Sequence, residues 1–282
     1  MTELVMARLT LVEVVRRKVV WALAVLTVLL LALTAWGFAK LPGLETSQGG
    51  LTSGQANLAA SQLMNLVMFT LSLVVALGTA LLAGPTISGE LESGVALAVL
   101  ARPVRRTSVL VGKWLGLVVF ALVYVTLAGG SEILIVRATV GYEPPSPVAG
   151  LAQLGAEAVV LLTLAFLLST WLSPLASGVL AVGLFGAVWV AGVVGGLGEA
   201  FGNPSVARVG SVARVLLPTD GLWHGAMHAL QGNSLLSQLG PESVGDPFVG
   251  SSALSAGYLA WVLVWVAGVL ALASVVYAQR DV

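Results

Sequence analysis

The sequence predicts an all-α integral membrane protein with six transmembrane helices and an N-terminal interfacial helix, and three observations carry that prediction. Hydrophobic residues make up 58% of the chain and charged residues 9%, at a mean hydropathy of +1.00; a soluble domain carries about 25% charge. Crossing roughly 30 Å of hydrocarbon takes about 20 apolar residues. Runs of that length lie near 19–39, 60–84, 113–136, 153–172, 175–197 and 257–277. The cations are also sorted by side: with six spans drawn, only Lys40, Arg137, Arg208 and Arg214 of the 13 Lys and Arg fall opposite the N-terminus. The positive-inside rule then puts both termini in the cytoplasm and the chain in the inner (cell) membrane as a multi-pass protein.

The N-terminal segment 1–18 mixes Leu4, Leu9, Leu11, Val12 and Val15 with Glu13, Arg16 and Arg17. It reads either as a helix lying in the inner interface or as the cytoplasmic end of the first span. Arg8, Arg16, Arg17 and Lys18 precede that span and no small-residue cleavage site follows, which argues against a cleaved signal peptide. The connection from Lys40 to Asn57 holds Pro42 and several Gly, and Glu143-Pro-Pro-Ser-Pro147 breaks the next connection on that side. Ser173-Pro174 makes a tight turn that forces spans four and five to be antiparallel neighbours. The extracytoplasmic connection 198–256 is too long for a bare loop. Short helices are expected in it, one over Val206–Leu217 stopped by Pro218 and one from an Asp220 N-cap to about Leu230, stopped by Gly232-Asn233. Trp21, Trp36, Trp114, Trp171, Tyr258 and Tyr277 sit near span ends, as interfacial belt residues do.

Two spans carry small residues every fourth position: Ser72, Ala76, Ala80 and Gly84 in the second, and Gly183, Ala187, Ala191 and Gly195 in the fifth. Such faces let helix backbones approach closely, which serves intrachain packing, a dimer seam or a pathway lining. Glu132 and Glu157 lie nearest the membrane interior, where a carboxylate is costly unless it faces protein or water. They read either as functional groups or as side chains that just reach the outer surface.

Much chemistry is absent from the pattern. Without cysteine there is no disulfide framework, thiolate metal site or Cys nucleophile. Gly112-Lys113 is followed by Trp114 and lacks the upstream Gly of a Walker A loop, and no GxSxG elbow or aromatic-interleaved basic patch for nucleic acid occurs. Asp220, His224 and His228 are spaced to share a helix face, which is the one pattern resembling a metal site. His224-Gly-Ala-Met-His228 lacks the Glu of HExxH, so a structural or surface role is expected and no metal centre.

The charged segment 85–112 is the most informative stretch. Ile87-Ser-Gly-Glu90-Leu-Glu92-Ser-Gly94, then Arg102-Pro103-Val-Arg105-Arg106, then Gly112-Lys113, resembles the signature of ABC-2-type transporter permeases. The resemblance extends to Leu217-Pro218-Thr219-Asp220 and Gln279-Arg280-Asp281, and within the family it is most similar to the nitrous oxide reductase maturation permeases. It implies one transmembrane domain over 1–282, a homodimer or a heterodimer with a close relative, and two copies of a separate cytoplasmic ATPase subunit that holds ATP and Mg. Residues 85–112 would be the coupling helix, with Glu90, Glu92, Gly94, Arg102, Pro103, Arg105, Arg106 and Lys113 facing the ATPase. Spans two and five would line the pathway, and the helices before span six would form a re-entrant cap at its exit. The expected function is the permease subunit of an exporter, without its own catalytic residues. From charge alone the segment reads as an unpartnered positive-inside loop, so a polytopic scaffold or assembly factor is the alternative function. An intramembrane enzyme using Asp220, His224 and His228 stands last, because a base is missing.

Overall fold

Three helices begin on a proline. Pro147, Pro174 and Pro204 stand in the first turn of their helices, where a missing N–H costs nothing and φ is already helical. The computed structural model describes residues 2–41, 45–46, 49–50, 53–92, 106–236, 248–250 and 252–279. Its helices are α1 (Thr2–Arg16), α2 (Lys18–Lys40), α3 (Ser53–Glu92), α4 (Arg106–Val140), α5 (Pro147–Leu168), α6 (Pro174–Ala200), α7 (Pro204–Leu216), α8 (Thr219–Leu236) and α9 (Ala256–Gln279). A two-rung antiparallel ladder, β1 (Glu45–Thr46) with β2 (Gly49–Gly50), follows α2. Six of the helices, namely α2 to α6 and α9, are long and apolar enough to cross a membrane.

In α3 and α5, 61% of the spanning window is buried, against 22% in α2 and 11% in α9. The bundle is therefore built on α3 and α5, with α4 and α6 against both and α2 and α9 at the periphery. Met64, Met68 and Leu71 of α3 interdigitate with Leu154, Leu161, Leu162 and Phe166 of α5 in one continuous core. Hydroxyls inside these helices bond back to the preceding turn, as in Thr27 Oγ1 to Leu23 O (2.8 Å), Thr34 Oγ1 to Leu30 O (2.9 Å) and Thr79 Oγ1 to Val75 O (2.8 Å). A polar side chain with no water nearby is satisfied by its own helix in this way.

The chain reverses at two glycines in the left-handed region, Gly141 (φ 70°) after α4 and Gly202 (φ 62°) between α6 and α7, a conformation that costs glycine nothing. After Gly202, the Asn203 side chain accepts the amides of Ser205 and Val206 and starts α7. α7 then runs back along α6: a Cβ on Gly198 would meet Ala207 N at 2.4 Å, and one on Gly195 would meet Gly210 Cα at 2.6 Å. Deeper still, a Cβ on Gly192 would meet the Asp220 carboxylate. α8 returns along α5 until Ser146 N donates to Ala229 O (3.0 Å) and Tyr142 Oη to Leu230 O (2.8 Å). Burial pushes the Tyr142 hydroxyl up to about 12, so it stays a neutral donor at that anchor. The connection thus holds a helical hairpin whose α7–α8 elbow lies inside the bundle.

Two boundaries differ from the sequence expectation. Asp220 lies within the first turn of α8 and does not cap it, because the helix begins at Thr219 directly after Pro218. Gly232-Asn233 does not stop the helix, which continues to Leu236; packing along α5 outweighs glycine's weak helix propensity. Within the connection from Lys40 to Asn57, Glu45–Thr46 and Gly49–Gly50 pair as a short antiparallel ladder.

Gly195→Ala forces the hairpin away from α6 by a backbone clash, and Gly183→Ala meets nothing within 4 Å. The first variant is expected to lose roughly 1–3 kcal/mol of stability and the second to stay within about 0.5 kcal/mol, read as thermal unfolding in detergent.

Candidate functional site

The end of the bundle that carries α1 is held by backbone contact and by cations. α1 lies on α4 where a Cβ on Gly112 would meet Glu3 O at 2.7 Å and one on Gly116 would meet Ala7 O at 2.7 Å. Pro85 inside α3 has no N–H for the Leu81 carbonyl and crowds the turn before it. The carbonyls on either side of Pro85 accept side-chain donors: Arg17 Nη1 to Leu82 O at 3.3 Å and Lys113 Nζ to Thr86 O at 3.2 Å. Arg17, at the α1–α2 junction, also pairs with Glu13 at 2.6 Å. Lys113 is 8% exposed. The last turns of α3 are thereby fastened to the α1–α2 junction and to α4. Arg106 starts α4, half-buried. Glu90 and Glu92 belong to the end of α3 but their side chains, together with Gly94, Arg102, Pro103 and Arg105, lie outside the described residues.

In the bundle interior the two carboxylates do not reach the surface. Glu132 is 0% exposed and Glu157 5%, because α2 covers the first and α3, α6 and α8 close over the second. Ser72 Oγ donates to Glu157 Oε1 at 3.0 Å. Neither oxygen of Glu132 has a hydrogen-bond partner among the described residues, and the proton of neighbouring Thr34 is spent on Leu30 O. Glu157, Ser72, Ala76 and Phe185 line a cavity with room for about one water.

The two small-residue faces part company in the fold. Ser72, Ala76, Ala80 and Gly84 all face inward: Ser72 meets Glu157, Gly178 stacks on Ala80 O, and Gly84 lies against Pro174 O. In α6, Ala191 and Gly195 pack under Gly210 of α7, but Gly183 and Ala187 face outward. The face of α6 that meets the hairpin recurs every third residue, Gly192, Gly195 and Gly198, of which the four-residue track shares only Gly195.

At the elbow, Arg214 Nε donates to Asp220 Oδ2 at 2.7 Å, with Asp220 almost fully buried. The final turn of α7 leaves carbonyls that no helical amide can take, and α9 supplies the donors from one face. Tyr258 Oη donates to Arg214 O (3.0 Å), Trp261 Nε1 to Val215 O (3.1 Å) and Trp265 Nε1 to Leu216 O (2.8 Å). Tyr258 thus points inward, and so do Tyr277 and Trp114, whose Nε1 donates to Thr163 Oγ1 at 2.9 Å; Trp21, Trp36 and Trp171 stay exposed. The spacing 258, 261, 265 on an otherwise featureless apolar helix is the sequence signal for this clamp. His224 Nδ1 faces Asp220 O (2.9 Å) and His228 Nδ1 faces Gly250 O (3.0 Å). His224 Nδ1 also lies 3.5 Å from Asp220 Oδ1, whereas His228 is turned to Gly250, and no three His, Cys, Asp or Glu groups gather for a metal among the described residues.

Removing two clamp donors, Tyr258→Phe with Trp265→Phe, takes away the donors of Arg214 O and Leu216 O and is expected to raise amide exchange across 213–222 by about thirtyfold, at roughly 1 kcal/mol per lost bond. Hydrogen-exchange mass spectrometry in micelles reads this directly.

No curated protein matches the sequence. The family model described as ABC-2 family transporter protein matches residues 4–282. With six membrane-length helices and a match over nearly the whole chain, this protein belongs to the ABC-2 transporter family as a multi-pass membrane component of the permease kind.

Proposed function

We propose that the chain is the permease subunit of an ATP-driven exporter, coupled to a cytoplasmic ATPase through residues 85–112. The observation that carries this reading is the pair of cation-to-carbonyl ties that bracket Pro85. A push on the segment beyond Glu92 reaches the α1–α2 junction through Arg17 and α4 through Lys113, so the helices on which it acts move together. The charges Glu90, Glu92, Arg102, Arg105 and Arg106 suit charge-assisted docking in a cleft of the partner. Two ATPase copies binding ATP and Mg, with both permease termini on their side of the inner membrane, complete the scheme.

A second copy of the chain completes the pathway in this reading. The outward face of α6, with Gly183 and Ala187 among exposed Val179, Leu180, Leu184 and Val190, offers close helix contact in lipid. The α7–α8 hairpin caps the exit, and the cargo class includes the maturation cargo handled by nitrous oxide reductase permeases, the subtype to which the signature is most similar.

Purification of the tagged chain in mild detergent, with quantitative mass spectrometry of co-purifying proteins, is expected to recover about one ATPase per permease. Arg105→Glu with Arg106→Glu is expected to cut that recovery by about tenfold or more, the loss expected when close charge pairs across an interface become repulsive. Lys113→Met is expected to keep the ATPase bound while lowering cargo-stimulated hydrolysis. An ATPase recovered equally with the doubly reversed variant would remove the coupling role from these residues.

A further inference from the structure

A second site lies beside the elbow, between the starts of α8 and α9. It is an open cleft of about 310 Å3 whose wall includes Arg214, His224, Ser252, Ser255, Gly225 and Tyr258. That volume is at the lower end of small-ligand sites. The lining holds two basic side chains and no carboxylate. Asp220 stands behind Arg214, almost fully buried, and takes only its Nε. The guanidinium is thereby fixed in orientation, and its terminal nitrogens have no partner among the described residues. An Arg held by one edge presents the other as a planar two-donor fork suited to phosphate or carboxylate oxygens.

The backbone adds to the same field. Ser255 opens α9: its Oγ accepts Tyr258 N at 3.1 Å and its carbonyl accepts Leu259 N at 3.2 Å. The amides of Ala256 and Gly257 then have no acceptor within the helix, and the first turn of α9 carries no acidic residue to offset its positive end. His224 turns Nδ1 to the Asp220 carbonyl, which leaves Nε2 for the cleft side. A guanidinium edge, an imidazole, two hydroxyls and a helix N-terminus converge on one space, beside the apolar side chain of Leu254.

We propose that this cleft binds a singly esterified or free phosphate group, such as the headgroup of an anionic lipid or phosphate itself. The phosphate oxygens would take the Arg214 fork and the Ser252 and Ser255 hydroxyls, and any acyl portion would leave along Leu254. Binding is the only property assigned, so its failure and the failure of the ATPase-coupled reading are separate results.

The test uses the full chain in detergent, with dihexanoyl phosphatidic acid, inorganic phosphate and dihexanoyl phosphatidylcholine as probes, followed by native mass spectrometry and titration. Phosphatidic acid is expected to bind and phosphatidylcholine to bind at least about tenfold more weakly, with affinity falling as salt rises. Binding of phosphatidic acid alone identifies a lipid headgroup site; equal binding of inorganic phosphate identifies a free-anion site. Arg214→Gln is expected to lower affinity about tenfold or more. Because that variant also takes the guanidinium from buried Asp220, Ala253→Trp serves as the second variant: it fills the exposed mouth of the cleft, keeps the Arg214–Asp220 pair, and is expected to abolish binding at an unchanged thermal transition. If neither phosphate probe binds, or if binding persists in both variants, the site is refuted.

Discussion

Every helix end or break in this protein that lies away from water has to find donors for its free carbonyls, because hydrocarbon offers none. That constraint explains the placement of its few polar side chains. Pro85 takes the helical amide from the Leu81 carbonyl, and the neighbouring carbonyls Leu82 O and Thr86 O take Arg17 and Lys113. At the inner end of α7, the carbonyls of Arg214, Val215 and Leu216 are met by Tyr258, Trp261 and Trp265. In both places a side chain from elsewhere in the fold donates to helix carbonyls, which makes each a tertiary tie. A chain that is only 9% charged spends two of its cations in this way.

The two ties sit at opposite ends of one mechanical unit. One end gathers α1, α3 and α4 near Pro85; the other gathers α6, α7, α8 and α9 around the elbow. Between them α3 and α5 form the core, and Glu157 lies on α5 with Ser72 of α3 donating to it. The elbow descends toward Glu157, so the hairpin closes the bundle from one side. The glycines of α6 at every third position allow a backbone-on-backbone seat for α7 with little side-chain interlock.

Legibility from the sequence followed the range of the interactions involved. The six spans, the turn at Ser173-Pro174 and the helix stopped by Pro218 rest on local pattern and read correctly. The face of Ser72, Ala76, Ala80 and Gly84 was visible as a periodicity, but what it meets was not, since the same spacing suits a neighbour in the chain or in a partner. In α6 the four-residue spacing divides between two surroundings: Gly183 and Ala187 face out and Ala191 and Gly195 meet α7, while Gly192 and Gly198 add contacts at a three-residue spacing. Tyr258 stands near a span end, the position of a belt residue, but its hydroxyl is committed to the elbow. Asp220 and Arg214, close in sequence but on two helices, pair only because the chain turns sharply at Pro218.

By itself the sequence determined the membrane class, the number of spans and the family signature, because length, hydropathy and short motifs are properties of the chain before it folds. Only the tertiary structure decided that the long connection becomes a hairpin inside the bundle and that Glu132 and Glu157 are sealed from the surface. It alone decided too that Arg17, Lys113 and three aromatics of α9 serve backbone carbonyls far away in the chain. Those outcomes depend on which helix stands opposite which, and in lipid that choice rests on close packing and carbonyl satisfaction between segments, for which no single stretch of sequence carries the pattern.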